Sequence, residues 1–345
     1  MEKLLLPILT LSLLASSALA TGELRIYTWG GYLKPEIVKK FEALEKVKVR
    51  IDYYGSNEEM IAKLQAGGVS QYDIVVPTDF AVPSMVALKL LMPLDKKQIP
   101  NLKNVSKTFA SPAYDKGNVY TLPFQWYTVG ITFDKRKVKT PPSSWGVLFD
   151  PKRSVGKYLL MDSSREMMGS ALKYLGYSLN TRDTKQAQEA GKLLLESKKA
   201  ANSLGFAADV ALRNRVISGE AAMAVGYSGD AIGAMAENPF LGFVIPKEGG
   251  VVAVDNIAIP AKAPNSALAH KWINFLMDAK VNAENANFVR YGTPNAAALP
   301  LVNAADRNNP MIYPPAILLA KLESIQDLGV DSRMYDEIWT AVKSR

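Results

Sequence analysis

The sequence predicts an α/β protein of two lobes, each a sheet flanked by helices, with two crossing strands as the hinge. Three observations predict it. Removing an apolar leader of about 20 residues from the 345 leaves enough chain for two cores, at about 150 residues per domain. From Leu24 onward, short strand-patterned runs alternate with amphipathic helical ones, an order that builds parallel sheet with helical crossovers. No linker rich in Pro, Gly and Ser separates the halves, so ordered segments must join them, and residues 122–133 and 251–259 are the candidates.

The leader comes first. Met1-Glu2-Lys3 precedes the apolar run Leu4 to Ala15, and Ala18-Leu19-Ala20 has the small-x-small pattern of a signal cleavage site. That run is shorter than the ~20 residues a spanning helix needs, and Pro7 interrupts it. Residues 1–20 are therefore expected to be a cleaved signal peptide and the mature protein a soluble one in the periplasm. Leu24 to Tyr27 then forms a strand and Thr28 to Tyr32 a loop. Pro35 suits a first helical position, with Ile37, Val38, Phe41 and Leu44 on one face. Val47, Val49, Ile51 and Tyr53 alternate with polar residues as a half-buried strand. Ser56 and Glu59 match a capping box ahead of Met60, Ile61 and Leu64, and Gly67-Gly68 stops that helix. Ile74-Val75-Val76 is apolar throughout, as in a strand covered on both faces.

The second half repeats the theme. Strands are expected at 158–161, 221–225, 241–245 and 251–259, and helices at 165–175, 186–198 and 267–277. In open α/β sheets ligands bind beyond the carboxyl ends of strands. Those ends carry Trp29 and Tyr32, Thr78 to Phe80, Ser163 to Glu166, and Tyr227 to Asp230, so four loops are expected to converge on one cleft.

Composition removes most chemistries. With no cysteine there is no disulfide, thiolate metal site, thiol nucleophile or lipid-anchored N-terminal cysteine. A single histidine, His270, rules out multi-histidine metal centres, and no cofactor is expected. The sequence contains no G-x-S-x-G, G-x-x-x-x-G-K-[ST] or H-E-x-x-H. His270 is expected to be exposed, opposite the Leu268, Trp272 and Leu276 stripe. The net charge of +8 is dispersed along the chain, so no nucleic-acid partner is expected. What remains is the aromatic and acidic set at the strand ends, which suits an organic cation: rings attract ammonium groups and cover methylenes, and a buried ammonium needs an anion. Taken from the residues alone, the protein is a cleft binder whose ligand stays open.

Seven collinear segments carry a more specific resemblance: Tyr27 to Tyr32, Ser56-Asn57-Glu58, Tyr72 to Pro77, Arg165-Glu166, Ile245 to Gly250, Asp255 to Pro260, and Tyr291 to Asn295. Over about residues 24 to 343 the chain resembles the periplasmic spermidine/putrescine-binding proteins of polyamine ABC transporters. The resemblance implies a two-lobed periplasmic binding fold of the second type, its mixed sheets flanked by helices, acting as a monomer, that closes on a polyamine and delivers it to a membrane permease driven by an ATPase. The lobes are expected to comprise residues 21–129 with 256–300, and residues 130–255 with 301–345. By the same resemblance Trp29 and Tyr32 form an aromatic pair, Thr78 supplies a hydroxyl, and Phe80 keeps a wall without a tyrosine's oxygen. Glu166 binds an ammonium, Tyr227 stands for a tryptophan, Asp230 matches an aspartate of putrescine binders, Asp255 contacts an amine, and Tyr291 is a wall.

Departures accompany the match. Ser163 stands where spermidine binders carry an aspartate, and Ala253 where a large aromatic is usual, which is expected to leave room beside Asp255. Gly30 and Gly31 replace polar or acidic residues, and Ile325, next to Gln326, takes the place of a ligand-binding glutamine. Asp79 is a further candidate contact. These differences favour a diamine held by Asp230 and Asp255, or a ligand outside the common pair. The alternatives are the same fold binding another small cationic or polar solute, and an exported enzyme.

Overall fold

The computed structural model describes residues 22–207 and 209–345, and the leader expected over 1–20 lies outside the described residues. Three parallel strands open the chain: β1 (Glu23–Trp29), β2 (Lys48–Tyr54) and β3 (Ile74–Val75), with β1 between the other two. Parallel neighbours need a crossover, and helices Pro35–Glu45 and Asn57–Gln65 supply them. Pro35 takes a first-turn position, while Ile37 and Phe41 turn into the core. The expected capping box forms with one shift. Ser56 Oγ accepts the Glu59 N–H at 3.1 Å, and the Glu59 carboxylate takes the N–H of Gly55 at 2.9 Å.

Both expected crossings are strands. β4 (Thr121–Asp134) is buried along its whole length, its polar residues Thr121, Gln125, Thr128, Thr132 and Asp134 included. The second half of the chain adds β5 (Tyr158–Met161), β6 (Ser203–Ala207), β7 (Met223–Tyr227) and β8 (Leu241–Val244), and β9 (Val252–Ala258) returns to the first sheet. Residues 121–128 of β4 pair with β9, whereas 129–134 pair with β7 and β8. The strand order is β2-β1-β3-β9-β4-β7-β5-β6, with β8 on β4. One long strand thus belongs to the sheets of both lobes, and its antiparallel mate β9 lies beside it where they meet.

Some elements were not anticipated. β6 and the helices Asp209–Ile217, Ala279–Val289 and Ser332–Ser344 had no assignment from pattern. Gly205, at positive φ inside β6, blurs the strand signal there. His270 corrects an expectation: it is buried, not exposed. Its Nε2 accepts the Asp95 backbone N–H at 2.9 Å, which leaves Nδ1 to donate to the Ser266 carbonyl at 2.7 Å. The 95–98 segment lies over the helix face that faces water in a single-sided amphipathic helix, so periodicity alone misassigned the residue.

Candidate ligand-binding cleft

A cleft of about 400 Å³ opens at the carboxyl ends of β1, β5 and β7 and beside β9. Trp29, Tyr32, Thr78, Phe80, Glu166, Tyr227, Asp230, Asp255 and Tyr291 all line it, so these nine share one site. Trp29 and Tyr227 end β1 and β7, and Glu166 and Asp230 lie in first turns of helices that follow β5 and β7, whereas Asp255 and Tyr291 are not at strand ends.

Asp255 lies within β9 and is 1% exposed. The Tyr32 hydroxyl donates to its Oδ2, and the Thr78 hydroxyl donates to Oδ1 at 2.7 Å. Asn57 sets the direction of the second bond. Its amide donates to Thr78 Oγ1 at 3.0 Å and its carbonyl accepts the Thr78 N–H at 3.1 Å, which leaves the hydroxyl proton for Asp255. Burial pushes the Asp255 carboxyl up to about 7, against the opposing pull of the Tyr32 and Thr78 hydrogen bonds, and the Glu166 charge adds to the rise.

Glu166 sits in the first turn of the helix Ser164–Tyr174 and is 3% exposed. Tyr227 donates to one carboxylate oxygen at 3.0 Å and Tyr127 to the other at 3.4 Å. Its pKa is raised by burial, with hydrogen bonds from Ser163, Tyr227 and Tyr127 acting the other way. Asp230, in the first turn of the helix Ser228–Glu237, accepts from the Tyr291 hydroxyl at 3.1 Å. Phenols therefore orient all three acids.

The rings form one connected wall. Trp29 donates through Nε1 to the Val76 carbonyl at 2.9 Å and meets Tyr54 edge-on at 4.6 Å. Tyr32 and Tyr291 lie 5.5 Å apart, Tyr127 and Tyr291 5.9 Å, and Tyr127 and Tyr227 4.9 Å. Gly229 admits this packing, because a Cβ there would fall 2.2 Å from the Tyr291 ring. Among the described residues no lysine or arginine forms an ion pair with Glu166 or Asp255. Two buried carboxyl groups thus face a cavity with hydroxyl donors but, among the described residues, no ion-paired cation, Arg165 on the same lining being turned to Gln326 and Asn180. Such an arrangement favours a positively charged occupant, since a buried charge is costly until it is paired.

Several sequence expectations change. Asp79 is buried but does not line the cleft; its carboxyl accepts the N–H of Phe80 at 2.8 Å and of Val254 at 3.3 Å. Ala253 is fully buried and also off the lining, so it does not enlarge the cleft. Ile325 is a core residue, and Gln326 is engaged through its backbone, its carbonyl accepting from Arg165 and its N–H donating to Asn180; neither residue reaches the cleft. Ser163 does line it. The principal omission is Tyr127, which read as one more residue of a buried crossing strand. A signal was available: it is a tyrosine, with a hydroxyl that needs a partner, in a buried crossing strand. The cleft also continues past Glu58 and Asp162 to Asp336 and Trp339, beyond the strand-end residues.

A two-lobed α/β fold whose sheets share a long strand, with a ligand-sized cleft where strand ends meet, defines a solute-binding protein. The comparisons place it further. Residues 36–310 match the family model of the bacterial extracellular solute-binding proteins, and the chain belongs to that family. It is 34% identical over 361 residues to a putrescine/cadaverine-binding protein of Pseudomonas aeruginosa, with 100% of both chains covered. A spermidine/putrescine-binding periplasmic protein of Escherichia coli is 33% identical, over 96% of this chain and 97% of its own. Among solved structures, a spermidine/putrescine ABC transporter protein from Listeria monocytogenes superposes with a TM-score of 0.86 at 34% identity, over 94% of this chain and 99% of that one.

Proposed function

We propose that the protein captures a polyamine, putrescine or spermidine, between its lobes in the periplasm and delivers it to the permease and ATPase of an ABC transporter. The observation that carries this reading is the pair of buried carboxyl groups, Asp255 and Glu166, without a cationic partner among the described residues and framed by tyrosine and tryptophan rings. An alkyl diammonium matches such a site. Its ends pair with carboxylates, and its methylenes lie against ring faces, each ring–ammonium contact contributing about 0.5–2 kcal/mol. Asp230 and Asp255 hold the two ends of a diamine, with Glu166 nearby. The names of the relatives support the same ligand class. The overall charge of +8 opposes capture of a cation, so the local acids must outweigh it.

The two lobes meet at β4 and β9, and closure about these strands excludes water and strengthens each charge pair. The leader is removed on export, and the mature protein acts as a monomer with no nucleic-acid partner. Calorimetric titration of the mature protein with putrescine, cadaverine, spermidine and a panel of amino acids tests the reading. Saturable 1:1 heat is expected from the amines, with most of it lost in Asp255→Asn. Heat from the amino acids alone, or unchanged amine affinity in the variant, refutes it.

A further inference from the structure

We propose that Tyr127 is a ligand-contacting residue that carries the central part of the aromatic wall from β4, a position it can take because its partner across the ladder, Ala253, offers only a methyl group. The inference rests on the polyamine reading and adds a residue to it. Tyr127 and Ala253 are direct register partners in the antiparallel β4/β9 pair. Side chains of such partners stand on the same face with Cβ atoms about 4.5–5.5 Å apart, so two rings there would compete for one volume. Asp255, two residues along β9 from Ala253, shares that face. The cleft, Asp255, Ala253 and Tyr127 therefore lie on one side of the two crossing strands.

Tyr127 also links the ends of the site. Its ring meets Tyr227 at 73° and Tyr291 at 89°, and those phenols donate to Glu166 and Asp230 respectively. Its own hydroxyl donates to the Glu166 oxygen that Tyr227 leaves open. Replacing Ala253 with a larger residue would push the Tyr127 ring out of this junction, and removing the Tyr127 ring would leave the methylenes of a bound diamine without a central surface.

The test is an exchange across the ladder, read by calorimetric titration with putrescine and by thermal melting. Tyr127→Leu keeps most of the volume and loses the ring face; putrescine affinity should fall about tenfold or more, while Tyr127→Phe, which keeps the ring and gives up only the 3.4 Å bond to Glu166, should lose clearly less. Tyr127→Gly and Ala253→Trp should each lose affinity and melting temperature, and Tyr127→Gly combined with Ala253→Trp should recover much of both. Unchanged affinity in Tyr127→Leu, or a folded double variant no better than Tyr127→Gly, overturns the proposal. If the parent binds no putrescine, the polyamine reading fails separately. The exchange is then decided by melting alone: recovery in the double variant supports it, and additive losses overturn it.

Discussion

Acidification should weaken ligand capture while stabilising the empty protein. Asp255 has an ordinary carboxyl pKa of 3.8 that burial raises to about 7 in the folded state. An ammonium pairs with the ionised carboxylate. Alkyl amines stay protonated across this range, so the change comes from the protein. A group with pKa about 7 is roughly nine-tenths ionised at pH 8 and about one-hundredth at pH 5, so affinity should fall roughly 90-fold, or about 2.7 kcal/mol. Glu166, also raised by burial, steepens the loss. For the fold the sign is reversed. Between the two pKa values the native state binds more protons than the unfolded chain, so stability from this group is present at low pH and is lost as pH rises toward and through 7. Between pH 5 and pH 8 that amounts to about 3 kcal/mol. Acids whose pKa is lowered, Asp134 among them, push the other way, so the measurement is the difference between parent and Asp255→Asn. The variant should melt higher than the parent at pH 8, by a margin that shrinks by more than half at pH 5 and closes only below the unfolded-state pKa of 3.8. Titrations with putrescine at pH 5, 6, 7 and 8 complete the test. Affinity flat across the series, or parent and variant melting curves that stay parallel with pH, would refute the idea that Asp255 is an uncompensated buried acid.

Two further variants probe the walls. Ser163→Asp adds a carboxylate to the cleft lining beside Glu166 and should shift the spermidine-to-putrescine affinity ratio toward spermidine by about tenfold, the size of one charge-assisted contact; an unchanged ratio in competition titrations removes this account of diamine preference. Gly229→Ala drives a methyl into the Tyr291 ring, and the strain should cost about 1–3 kcal/mol in thermal stability together with a loss of amine affinity. Parent-like affinity and melting would mean that the Tyr291 ring moves aside freely.

The acids make a functional trade visible. Asp255 and Glu166 sit where an apolar pair would be more stable, and their hydroxyl partners hold them in place without neutralising them. On the proposed function, ligand binding would supply the missing charge, so capture and lobe closure would be favoured together. Thr78 and Asn57 show how far the support extends: neither is acidic or aromatic, yet their pairing decides which way a proton points at Asp255.

Sequence alone determined the strand-helix alternation, the helix starts at Pro35 and Ser56, the two crossing segments, and the set of strand-end side chains that lines the cleft. Those are local properties: period, caps and loop position are set by neighbours within a few residues. Tertiary structure decided what depends on partners far along the chain. Tyr127 became part of the site through its contact with Glu166, Ala253 was assigned to the core by its place opposite Tyr127, and Asp79 was turned from the cleft by the backbone of Phe80 and Val254. His270 was covered by a segment 175 residues away. The elevated pKa of Asp255 belongs to the same class, because desolvation comes from everything packed around the carboxyl and no pattern in its own strand encodes it.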